Sequence, residues 1–247
     1  MTDVPVDDPD TLRRILANTE GLLLDFDGPI CSVFAGFPAH VVASQLRDIL
    51  KESGHYKLPS EVTASSDPFD VLKYAATLDD KVGNHVEAAF RAHEVEAIST
   101  ASPTPGAHDL IHAWATTERP VAIVSNNSTV AIESYLNLHQ LHHQISHIAA
   151  RTSSAIALLK PAPYLVTQAV TAIHKSPPKC TLVGDSITDI TAAHSANVHT
   201  IGYANKPSKA VSFRSSRTHA IVRSMYILAR EVIEIANDFQ PGLVEPE

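Results

Sequence analysis

The chain has 247 residues, 44% of them apolar and 19% charged, with a formal net charge of −8, a size that admits one large domain or a core carrying a smaller one. The acidic balance argues against a nucleic-acid partner, which would need a basic face to release phosphate counterions; the most basic stretch, residues 206–217, is broken by Pro, Ser and Phe. Two cysteines, Cys31 and Cys180, are too few for a disulfide framework, no apolar run approaches the ~18 residues of a membrane span, and four Asp without Lys or Arg in the first ten residues are unlike a secretory leader, so a cytoplasmic protein is expected.

In chain order, residues 10–18 read as an amphipathic helix with Leu12, Ile15 and Leu16 on one face. Gly21 opens the apolar run Leu22-Leu23-Leu24, which closes on Asp25-Phe26-Asp27-Gly28. Residues 33–99 then show helical periodicity without a convincing strand, over 41–51, 68–76 and 82–98, and end in a Pro-rich stretch, 100–106, suited to a hinge. Further helices are expected at 107–117, 129–138, 161–174, 187–195 and 226–237. Apolar runs at 121–124, ending at Ser125, and at 181–183, ending at Gly184-Asp185, read as strands buried on both faces. Two more strands are expected at 198–203 and 219–222, and the tail from Gln240 is expected to be disordered. Strands alternating with helices indicate an α/β fold with a doubly wound parallel sheet. Residues 1–32 and 100–247 would form the core domain, and 33–99 a helical insert.

In such sheets ligands bind at the carboxyl ends of the strands. Asp25 and Asp27, Ser125, and Asp185 all fall there. Residues i and i+2 of a strand share a face, so both acids of the first run can address one ligand. Converging carboxylates repel unless a cation sits among them, and hard oxygen ligands suit Mg²⁺. Lys160, heading Lys-Pro-Ala-Pro, offers positive charge to an anionic substrate.

The strings LLLDFDGPI, VAIVSNNS, LLKPAPYL and TLVGDSITD resemble, in order and spacing, the four motifs of the haloacid dehalogenase superfamily, over about residues 21–203. The insert sits where phosphoglycolate phosphatases and β-phosphoglucomutases carry a helical cap. The resemblance implies a Mg²⁺-dependent phosphatase acting on a small phosphorylated metabolite. Asp25 would be the nucleophile and Asp27 the general acid and base. The metal would be held by Asp25, the Asp27 backbone carbonyl and Asp185, with Asp189 orienting a metal water or Lys160. Gly28, Ser125, the Asn126 backbone and Lys160 would bind the phosphoryl group, the last three stabilising its equatorial oxygens. Two positions depart from the pattern: Pro29 replaces the usual Thr or Val, and Ser32 stands near the place of a common Asp.

Other readings compete at single positions. Asp67 stands where helical-cap relatives carry a specificity loop, and would favour a hydroxyl or an amine over a second anion; equally, it would cap the helix beginning at Pro68. His139, His142, His143 and His147 invite a metal site, but no Cys or Glu joins them at zinc-motif spacing. Cys31 reads as a buried filler near the hinge, and Trp114 as packing. Phe37, at the place of a cap-side His in β-phosphoglucomutases, favours hydrolysis over a phosphomutase. A catalytically silent binding protein of the same fold is the rival from another class. A monomer or a homodimer is expected.

Overall fold

The structure, a computed structural model, describes residues 4–238; the expected disordered tail lies outside the described residues. Helix α1 (Pro9–Ala17), capped by the Asp8 carboxylate on the Thr11 amide, leads into strand β1 (Gly21–Leu24). A short strand β2 (Cys31–Ser32) follows, then four helices, α2 (Ala39–Glu52), α3 (Ser60–Ala64), α4 (Pro68–Ala75) and α5 (Asp80–Ile98). Strand β3 (Ser102–Pro103) returns antiparallel to β2, closing the base of this helical block. The remainder runs α6 (Ala107–Ala115), β4 (Val121–Ser128), α7 (Thr129–Leu138), β5 (His147–Arg151), α8 (Tyr164–Ala172), β6 (Cys180–Gly184) and α9 (Ile187–Ser195). It ends with β7 (His199–Tyr203), α10 (Pro207–Arg214), β8 (Ala220–Val222) and α11 (Met225–Asp238).

Six strands form one parallel sheet in the order β5-β4-β1-β6-β7-β8. β1 lies between β4 and β6, so the chain winds outward to one side and then to the other, and the crevice at the switch opens over the carboxyl ends of the three central strands. Successive side chains of a strand face opposite ways. Accordingly Leu22 and Leu24 join the core made with α1, α6, α7 and α11, and Leu23 joins the opposite core with α8 and α9. Val42, Leu46, Val71, Leu72, Val86 and Phe90 form a separate hydrophobic cluster within the helical block. Among the described residues no helix is long and apolar enough to cross a membrane.

The expected elements appear with ends shifted by a few residues. Helix α8 starts at Tyr164 and not at Pro161, because three residues of turn carry the chain away from Lys160 first. Strands β2, β3 and β5 and helices α3 and α10 lie where no element was expected. The apolar stretch of β5, Ile148-Ala149-Ala150, is too short and too rich in Ala for a strand signal, and it is closed by the charged Arg151.

Candidate active site

The tip of β1 delivers Asp25, and the chain then turns sharply. The Asp27 carboxylate accepts from the Val33 amide at 2.9 Å, and Gly28 N–H donates to the Cys31 carbonyl at 2.7 Å. Gly28 has φ of +109°, a backbone region that favours glycine, and a Cβ there would collide with the Asp185 carboxyl. This glycine therefore lets the β1 loop and the β6 end approach within reach of one ion. Thr104 Oγ1 donates to the Gly28 carbonyl at 2.5 Å, tying the loop to the residue that follows β3.

Lys160 joins these acids from the loop before α8. Its Nζ lies 2.8 Å from Asp25 Oδ1, 2.5 Å from Asp189 Oδ1 and 2.8 Å from the Val124 carbonyl, and the side chain is buried. Burial would lower the lysine, but the carboxylates of Asp189 and Asp25 outweigh it and hold the ammonium above its ordinary range. Asp25 is pushed up to about 8, first by burial and then by the Asp189 charge, against the pull of Lys160. Burial likewise raises Asp27 to about 6, and raises Asp185 against the opposing Lys209, whose ammonium touches the Asp185 carboxylate.

Asp189 belongs to the capping box of α9: its Oδ2 accepts from the Ser186 amide and hydroxyl at 3.0 and 2.6 Å. Its Oδ1 is buried and makes no aligned hydrogen bond besides the contact with the lysine. Carboxylate oxygens of Asp25, Asp185 and Asp189 lie within 4.8 Å of one another, the one group of three or more His, Cys, Asp or Glu among the described residues placed to share an ion. An all-oxygen set of three carboxylates fits a hard divalent cation. The histidines at 139–147 form no such group: His139 packs on Tyr135 and His108, with ring centroids 4.3 and 5.1 Å away, while His147 opens β5. Cys31 is buried and its thiol is pushed far up by that burial, in keeping with packing.

Ser125 ends the regular part of β4, and its hydroxyl donates to Asn127 Oδ1 at 3.1 Å. The Asn126 side chain faces the Lys160 loop. Its amide clamps the Lys160 peptide, Oδ1 accepting from Lys160 N at 2.8 Å and Nδ2 donating to Lys160 O at 3.0 Å.

Asp25, Asp27, Ser125, Lys160, Asp185 and Asp189 line a cavity of about 330 Å³, together with Asp67, Phe69 and Lys73 from the helical block. Asp67 caps α4 by accepting from the Phe69 amide at 2.9 Å, and it also lines the crevice. Lys73 was not anticipated. Phe69 and Lys73 are i, i+4 on α4, so a helix capped at Asp67 presents both on one side; Lys73 pairs with Asp70 at 3.1 Å. Phe37 stands off the crevice, beside His93. Five carboxylates against two ammonium groups line the cavity, so an anionic ligand would be repelled without an added cation.

The model of the haloacid dehalogenase-like hydrolases matches residues 23–203. The chain belongs to that family. No curated protein matches it. Among solved structures it is similar to a predicted phosphoglycolate phosphatase from Haemophilus somnus, with TM-score 0.60 and 18% identity over 90% of this chain and 99% of that one. It is similar also to β-phosphoglucomutase from Clostridium difficile, with TM-score 0.63 and 16% identity over 90% and 98%. CbbY from Rhodobacter sphaeroides, solved with phosphate, gives 0.62 and 15% over 84% and 95%. At these identities the likeness is one of fold.

Proposed function

We propose that this hydrolase is a Mg²⁺-dependent phosphatase, releasing phosphate from a small organic monoester through an aspartyl-phosphate at Asp25, with residues 33–99 as its cap domain. The observation that carries the reading is the convergence of Asp25, Asp27, Ser125, Lys160, Asp185 and Asp189 on one half-enclosed cavity. Asp25 presents a carboxylate oxygen held by Lys160 and by its neighbour's amide (Phe26 N, 2.7 Å), which fixes the direction of attack. Asp27, two residues on and anchored by Val33, would protonate the leaving oxygen and later take a proton from water. Ser125 and Lys160 supply donors and charge for the equatorial oxygens. A cation held by Asp25, Asp185 and Asp189 would neutralise the crowded negative charge of the site and of the phosphoryl group.

Hydrolysis is favoured over phosphoryl transfer between sugar positions because no histidine lines the cavity among the described residues. The 330 Å³ volume suits a small metabolite. The test is phosphate release from p-nitrophenyl phosphate, followed by a panel of phosphometabolites including sugar and amino-sugar phosphates. Activity with Mg²⁺, loss on EDTA treatment and inhibition by Ca²⁺, which takes more ligands at longer distances, are expected. Full activity after exhaustive chelation would remove the metal from the mechanism, and inactivity throughout would favour a silent binding protein.

A further inference from the structure

The two asparagines after Ser125 break the ladder between β4 and β5. Ser125 pairs with Ala150 and Ser128 with Arg151, so Asn126 and Asn127 loop out of register. Such a bulge leaves backbone groups without ladder partners and re-aims the side chains beside it. Here the partners are ions. Arg151 Nε donates to the Asn126 carbonyl at 3.0 Å, the Ser128 amide donates to Glu94 Oε2 at 3.1 Å, and Asn127 Nδ2 donates to Glu94 Oε1 at 3.0 Å. Arg151 in turn pairs with Glu94 and with Glu87, each at 2.5 Å, and all three side chains are buried.

Glu87 and Glu94 belong to α5, in the helical block, whereas Arg151 belongs to the sheet. The chain of contacts therefore runs from α5 through the bulge to Asn126, and from its side chain to the Lys160 peptide and Asp25. Replacing buried ion clusters by apolar residues of similar size is often neutral or stabilising. Stability alone is thus a poor reason for this cluster, and geometry is a better one.

We propose that Glu94 and Arg151 are positioning residues: they hold the 125–128 bulge so that Ser125 and Lys160 keep their places around Asp25, and they make that placement depend on α5 being seated on the core. The proposal rests on the phosphatase reading for the name of what the bulge binds, but not for the coupling itself. Glu87, which touches Arg151 and, at 3.7 Å, Arg91, makes no contact with the bulge and serves as the control.

The experiment measures amide hydrogen exchange of the peptide 124–129 against that of β6, with turnover of p-nitrophenyl phosphate in Mg²⁺. In Glu94→Gln, exchange at 124–129 is expected to rise about tenfold while β6 stays unchanged. There kcat is expected to fall about tenfold or more, with KM moving less. Glu87→Gln is expected to leave both unchanged. Should Glu94→Gln fail to fold, the charge-free triple variant Glu87→Gln/Glu94→Gln/Arg151→Met, which strands no buried ion, is expected to fold and to show the same local loosening. Wild-type exchange at 124–129 in the folded variant, or an equal rise in β6, overturns the proposal. If the wild-type chain turns over no phosphate ester, the phosphatase reading fails while the exchange comparison still decides the coupling.

Discussion

Lys160 Nζ lies 2.8 Å from Asp25 Oδ1 while also reaching Asp189 and the Val124 carbonyl, so one ammonium holds the end of β1, the middle of β4 and the start of α9 together. An exposed pair of this kind would contribute little. This one is buried, and it opposes the burial and the Asp189 charge that raise Asp25 to about 8. Lys160→Met should therefore lower kcat on phosphate monoesters by ~10²–10³, the usual loss for one stabilising donor. The fold should survive, because Asp25 can take up a proton in place of the missing positive charge. Steady-state kinetics with a thermal melt checks both; unchanged kcat would remove the lysine from the site chemistry.

Asp67 separates two effects in one residue. Loss of its cap in Asp67→Ala should cost about 1 kcal/mol of stability, read as a melting point lower by a few degrees. Its place on the cavity wall, beside Phe69 and Lys73, should show as a raised KM for the best substrate of the metabolite panel. Turnover of p-nitrophenyl phosphate, which carries no group for Asp67 to select, should hardly change. Equal loss on both substrates would make the residue a cap and nothing more.

His219 carries a pH dependence remote from the crevice. Its Nδ1 accepts from the Thr200 amide at 3.1 Å and lies 2.9 Å from the Thr200 hydroxyl, which requires a neutral ring nitrogen. Partial burial, then His199 and His194, lower it from 6.5 to about 4. With the folded value depressed, the unfolded chain binds the proton first as pH falls from 6.5 towards 4, so stability is lost across that window and is fully present above it. The melting point of His219→Gln should fall less steeply between pH 6.5 and 4 than that of the wild type. Parallel curves would show that the ring titrates freely in the folded protein.

Strand-end acids were legible because an apolar run closed by a carboxylate has few meanings, and four such strings in order have fewer. Both sides of β1, and the crevice they frame, followed from that pattern. Helices α2, α4 and α5 were legible from periodicity, the five-residue α3 was not, and Asp67 was legible from its place before Pro68. What stayed hidden depends on distance in space and not in sequence. Lys209 reaches Asp185 from a helix whose sequence, Pro-Ser-Lys-Ala-Val-Ser-Phe-Arg, has almost no apolar face. Glu94 lies in the middle of a charged helix, where burial to 0% contradicts its type. Arg151 closes a strand too short to announce itself. No local spacing links Glu94 to Arg151; only the bulge in β4, a tertiary feature, brings them together.

The two aspartates of the first loop give the sharpest test of mechanism. Asp25 is held by Lys160 and by the Phe26 amide, and Asp27 by the Val33 amide, so each can be altered without moving the other's anchor. Asp25→Asn removes the nucleophile: no phospho-enzyme should form, and turnover should fall to background. Asp27→Asn keeps the nucleophile and loses the acid and base, so hydrolysis of poor leaving groups should fall by ~10²–10⁴. With p-nitrophenolate, which departs without protonation, the first step should be spared more than the second. A phospho-enzyme should then accumulate in Asp27→Asn, and acid quench with mass spectrometry should find it on the peptide carrying Asp25. Label on Ser125 or on a histidine, or substantial activity in Asp25→Asn, would place the nucleophile elsewhere.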